Sequence, residues 1–104
     1  MGAYKIKWHQ SARSELKAIY EYYLPETVQG AENIVEDILK AVDKLAEEPE
    51  VNYATEPHLG HPYQYIKTRR YKIIHKKQNN EIRILGIFDT KQDPQKLKKI
   101  KKRE

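Results

Sequence analysis

The chain contains no cysteine. That excludes disulfides, thiolate catalysis and cysteine-ligated zinc, and it suits a reducing compartment. Long hydrophobic runs are missing too. No stretch approaches the roughly 18 consecutive apolar residues of a membrane span, and the N-terminus lacks the apolar core of a secretory signal. A soluble, cytoplasmic protein with no membrane partner is the expectation. Met1-Gly2 opens like a myristoylation site, but Ile6 stands where that motif needs Ser or Thr. Histidine is scarce: His58 and His61 flank Leu59-Gly60, yet zinc needs three or four ligands and no further His or Cys cluster accompanies them, so no metal site is predicted. Apolar residues fill 38% of the 104 positions, enough for one core and no second. A single domain spanning residues 1–104 follows, without internal repeat or linker.

Charge is plentiful and uneven. Residues 1–62 carry 6 basic and 11 acidic side chains, whereas residues 63–104 carry 14 basic and 4 acidic, balances of −5 and +10. A basic half of this kind attracts a polyanion, either nucleic acid or an acidic protein, through long-range steering and counterion release. The basic residues are threaded through apolar segments: Lys67, Arg69, Arg70, Lys72, His75, Arg83 and Lys91 all lie in or beside two hydrophobic runs, Tyr71–Lys76 and Glu81–Phe88. Between the runs stands Lys77-Gln78-Asn79-Asn80, suited to a tight turn because Asn tolerates positive φ. A β-hairpin is expected there.

The periodicity of the chain supplies the rest of the fold. Tyr4-Lys5-Ile6-Lys7-Trp8 alternates apolar and basic residues, a half-buried strand. From Ala12, the residues Leu16, Ile19, Tyr20 and Tyr23 recur at helical spacing up to Leu24, where Pro25 stops the helix. Thr27 can cap a second helix whose stripe runs Ala31, Ile34, Val35, Ile38, Leu39, Val42 and Leu45, with acidic residues opposite and Pro49 at its end. Residues 50–62 have no sustained period and read as loop. Tyr63–Lys67 reads as a short strand. In Tyr71–Lys76, Tyr71, Ile73 and His75 share one face and Lys72, Ile74 and Lys76 the other, so burial on both sides is expected. Asp93-Pro94 looks like a cap and first position of a short Lys-rich helix over 94–104, anchored only by Leu97 and Ile100 and fraying at its end.

This order, a strand, two helices and three strands, resembles the RelE/ParE superfamily of toxins from type II toxin-antitoxin systems. The resemblance rests on Tyr4–Trp8, on Ala12, Leu16, Ile19 and Tyr22, on Leu45 before Pro49, on Arg70-Tyr71-Lys72-Ile73, and above all on Ile84–Pro94. That last segment is similar to plasmid-stabilisation proteins, which commonly show Arg where this chain has Lys91. The two long helices look more like the ParE branch. The resemblance implies an α+β domain: a twisted, largely antiparallel β-α-α-β-β-β sheet, the helical hairpin on one face, and no cofactor.

It implies two activities between which fold does not choose. RelE-like members cut messenger RNA on the ribosome, and ParE-like members poison DNA gyrase without cutting. The first requires a proton acceptor for the ribose 2′-hydroxyl, a cation for the charged phosphorane and a donor for the leaving oxygen. Lys67, Lys72 and Lys91 stand where that branch carries basic catalytic residues, and His75, with an ordinary pKa near neutrality, is a further proton carrier. Arg69, Arg70 and Arg83 are candidates for phosphate or for an acidic partner, and Tyr63 and Tyr65 for stacking on bases. Ribosome-dependent cleavage therefore leads, gyrase inhibition is the alternative, and a non-toxic basic RNA-binding module is third. The resemblance also implies a cognate antitoxin; the charge split leads to the expectation that its acidic, partly disordered segment folds over Arg69, Arg70 and Lys91, with the toxin as a homodimer or in a heterotetramer with the antitoxin.

Overall fold

The computed structural model describes residues 4–103. Strand β1 (Lys5–Trp8) leads into helix α1 (Gln10–Tyr23) and helix α2 (Val28–Glu47), followed by β2 (Ala54–Thr55), β3 (Gln64–Thr68), β4 (Tyr71–Gln78), β5 (Glu81–Asp89) and a C-terminal 3₁₀ helix (Pro94–Lys102). The sheet order is β1-β5-β4-β3-β2, with β1 parallel to β5 and every other pair antiparallel. β2, a two-residue edge strand, lies inside the segment expected to be loop. Two residues are too few to show a period. Among the described residues no helix is long and apolar enough to cross a membrane.

The helix starts are set by side chains. His9 Nδ1 accepts from the Ser11 amide at 3.0 Å, and Thr27 Oγ1 accepts from Gly30 N–H at 2.8 Å, each supplying one of the acceptors that a helix N-terminus lacks. The apolar stripe of α2, Ile34, Ile38, Val42 and Leu45, then packs with Ala12 of α1 onto Tyr71, Ile73, Ile82, Ile84 and Ile87 of the sheet. This is the front face. Behind the sheet, Leu59, Tyr63, Ile74, Leu85 and Phe88 meet Leu97 and Ile100 of the 3₁₀ helix. Both faces of the central hairpin are therefore buried, as the mixed pattern of β4 predicted.

One extra residue makes this possible. Ile74 pairs with Gly86 but His75 pairs with Ile84, leaving Leu85 as a bulge. Ile82 and Ile84 face front. After the bulge the alternation reverses, so Ile87 faces front while Leu85 and Phe88 face back. The backbone groups around the bulge find side-chain partners: Ile87 N–H donates to Glu15 Oε1 at 2.9 Å, and Leu85 carbonyl accepts from Arg103 Nη1 at 3.0 Å. At the hairpin tip, Asn79 adopts φ 58°, the conformation for which Asn is suited, and β4 runs on to Gln78, so the turn is tighter than the four residues expected.

The C-terminal helix differs from expectation in type and in its end. Leu97, Ile100 and Arg103 recur every three residues, and three residues per turn puts all of them on the sheet side. An α-helix would rotate the third one away. The end does not fray at Arg103, because its guanidinium grips both carboxylate oxygens of Glu15 at 3.1 and 3.0 Å.

Candidate functional site

The sheet separates the charges. Glu32, Glu36, Asp43 and Glu47 are exposed along α2 on the front. The back is basic. Lys7, Arg83 and Lys76 occupy neighbouring positions on β1, β5 and β4, so three cations stand in one row at the inter-strand spacing of about 4.8 Å. Lys67 and Lys72 form a second cross-strand pair on the same face. Arg83 pairs with Glu81 at 3.4 Å, a distance and angle at which its buried Nε makes no hydrogen bond.

Lys72 is committed to a partner that the periodicity did not reveal. Its Nζ lies 2.7 Å from Oε1 of Glu56, which is wholly buried in the loop after β2. The same carboxylate accepts from His58 N–H through Oε2 at 3.0 Å and contacts His58 Nδ1 at 3.0 Å. Burial works to raise the Glu56 pKa, but the hydrogen bonds from Lys72 and His58 hold it below the usual carboxylate value. Lys72 also lies over the Tyr65 ring, 4.3 Å from its centre, and Lys76 lies 5.8 Å from that of Tyr63. Tyr63 is only 9% exposed. Both tyrosines, expected to stack on bases, are thus covered by lysines of their own sheet.

The remaining candidates do not converge with these. His75 faces front at 1% exposure, edge-on to Tyr53 with ring centres 5.6 Å apart; its Nδ1 meets Ile73 carbonyl at 3.1 Å and its Nε2 has no partner. Burial pushes its pKa down to about 4, so near neutrality it is an uncharged core residue out of reach of solvent. Arg69, at φ 54° in the β3–β4 turn, donates from Nε to Asp37 of α2 at 2.8 Å. Arg70 turns the other way. It pairs with Asp89 at 3.1 Å, sits over the rings of Tyr23 and Tyr71, and lines a concavity of about 400 Å³ with Glu15, Tyr22 and Lys99. Asp89 also accepts the Lys91 amide at 2.9 Å, closing the bend after β5 in the structural role its sequence position suggested. Lys67 and Lys91 are exposed.

Of the four residues expected to carry chemistry, Lys67 and Lys72 come together, Lys91 lies in the bend and His75 lies on the opposite side of the sheet. Sequence reasoning missed Glu56, Glu15 and Arg103. Glu56 did leave a signal, being the one carboxylate between Val51 and Pro62. Arg103 left another in its three-residue spacing from Ile100. Among the described residues no group of three His, Cys, Asp or Glu is placed to hold a metal ion.

An acidic helical layer, a basic sheet face and a lysine tied down by a buried carboxylate define a small α+β protein with a docking surface rather than a deep reactive cleft. The family is identified by comparison: residues 6–94 match the model of the ParE toxin of type II toxin-antitoxin system, parDE, and the chain belongs to that family. Among solved structures, one described as "Chromosomal ParDE TA system from P. aeruginosa" superposes with a TM-score of 0.71 at 22% identity, covering 84% of this chain and 96% of that one. No match was found among curated protein sequences.

Proposed function

We propose that this toxin arrests growth by binding DNA gyrase rather than by cutting transcripts. The reading reverses the order in which the sequence placed the two activities. One observation carries it: two of the four proton carriers expected for cleavage are engaged or withdrawn, Lys72 on buried Glu56 and His75 inside the core, and exposed Lys67 and Lys91 do not come together, Lys91 lying in the bend after β5. Lys72 spends its Nζ on this 2.7 Å contact and is not free to take the 2′-hydroxyl proton. Membership of the ParE family and the long helical pair support the same choice. A toxin of this family has a cognate antitoxin, and here the complement to the basic half is an acidic segment that orders on binding. The toxin then works in the cytoplasm, where its target is.

Controlled expression tests the proposal. Double-strand DNA breaks and an SOS response with intact transcripts are expected. Prompt cleavage of transcripts at codon boundaries, with unbroken DNA, would restore the nuclease reading.

A further inference from the structure

The C-terminal 3₁₀ helix does more than cover the sheet. Its inward line, Leu97, Ile100 and Arg103, is fully occupied in packing and in the grip on Glu15. Every other turn position that matters is lysine. Side chains three apart eclipse on such a helix and rise about 2.0 Å per residue, so Lys96, Lys99 and Lys102 form one outer line and Lys98 and Lys101 another, with about 6 Å between successive charges. All five are exposed, and among the described residues no ion pair holds any of them. No acidic residue interrupts the helix. The same face of the sheet carries Lys7, Lys67 and Arg83, the last paired with Glu81.

We infer that this lysine ladder is a binding surface for the phosphate backbone of duplex nucleic acid, read without regard to sequence. The spacing matches the polymer: each phosphate advances about 3.4 Å along the axis while winding around it, so neighbours on one strand lie about 7 Å apart and a 6 Å repeat meets successive ones. An acidic protein offers such a repeat only where carboxylates happen to alternate on a strand or recur at each helical turn, whereas a duplex offers it along its whole length. Single strands are the poorer fit, because unpaired bases are gripped by open aromatic rings. On the basic face the rings of Tyr63 and Tyr65 lie under Lys76 and Lys72, and the exposed ring of Tyr22, in the concavity beside Lys99, is a single platform where stacking successive bases needs several. What remains on offer is a regular row of ammonium groups, which neutralises backbone charge and releases counterions. The inference goes beyond the gyrase reading and stands without it, since its test contains no gyrase.

The measurement uses the full chain and a fluorescent duplex of arbitrary sequence, titrated across a salt series. Four to five neutralised phosphates give a slope of log K against log salt of about −4, a roughly two-hundred-fold weakening from about 50 to 200 mM. Replacing Lys96, Lys98, Lys99, Lys101 and Lys102 with Gln leaves Leu97, Ile100 and Arg103 in place and is expected to lower affinity at low salt by about a hundredfold or more. The milder Lys98→Gln, Lys101→Gln pair should make the slope shallower by about 2 and covers the case in which the fivefold variant does not fold. Duplex affinity unchanged within threefold in a folded ladder variant would overturn the inference. So would tighter binding of a single strand, or of an acidic peptide of equal charge, than of the duplex.

Discussion

Replacing Glu56 with Gln isolates the interaction that separates the two toxin readings. The carboxylate is wholly buried and serves three groups: Lys72 Nζ through Oε1, and the amide and ring of His58 through Oε2. Gln keeps one acceptor and turns an NH₂ toward either the ammonium or the His58 N–H, so at least one donor loses its partner. Removing one member of a buried ion pair costs about 3–5 kcal/mol, because the other charge stays behind. Lys72 retains 19% side-chain exposure and can reach water, which brings the expected loss to ~2–3 kcal/mol. For a domain of this size each kcal/mol lowers Tm by about 4–8 °C, so a fall of roughly 10–20 °C should appear in a calorimetric or circular dichroism melt. Lys72→Met should recover part of that loss in the double variant, giving a coupling energy above ~1 kcal/mol in the four-member cycle. The wild-type advantage should also shrink on acidification. The Glu56 pKa is held below its unfolded value of 4.5, so the stability it supplies is present above that pH and lost as pH falls through the folded pKa. A cost for Glu56→Gln below ~0.5 kcal/mol, or a coupling energy near zero, would refute the claim that Lys72 is held by this carboxylate.

Three further outcomes are expected. Lys72→Met, assayed where it remains folded, should still arrest growth; complete loss of toxicity in a folded variant would make Lys72 part of the toxic mechanism. His75 titrates at about 4 in the fold and near 6.5 in the unfolded chain, so the unfolded state binds the extra proton between those values. Stability should therefore fall by ~3 kcal/mol as pH is lowered from about 6.5 to about 4 and stay level above about 7, and His75→Phe should remove that part of the pH dependence in urea titrations. Gly86→Ala would place a Cβ 2.8 Å from Ile100 Cδ1 and 2.9 Å from Arg103 Nη1, the far ends of two side chains that must swing aside and loosen the grip on Glu15, at a cost of ~1 kcal/mol with faster hydrogen exchange at the Arg103 amide as the local readout.

Much of the fold was legible because its signals are periodic. The stripe of α2, the cap at Thr27, the alternation in β1 and β4 and the Asn turn are each local, and each appears where the spacing placed it. The bulge at Leu85 was not legible. A one-residue slip between two strands leaves no local pattern, and only the pairing of Ile74 with Gly86 and His75 with Ile84 exposes it. The site was read less well than the fold, for the same physical reason. Counting cations in a segment says nothing of the carboxylates that fold against them, and Asp37, Glu56 and Asp89 come from three separate parts of the chain. Strand parity did predict that His75 lies opposite Lys72, but parity alone did not say which face the helices would cover.

Docking on DNA gyrase, with no bond cleaved by the toxin's own side chains, is the activity proposed here. Purified toxin added to DNA gyrase, ATP and relaxed plasmid tests it most directly, alongside a ribosome-programmed messenger RNA in a parallel reaction. The account predicts blocked supercoiling and accumulating gyrase-cleaved DNA, with the message intact. Undisturbed supercoiling together with a message cut in the ribosome would contradict it.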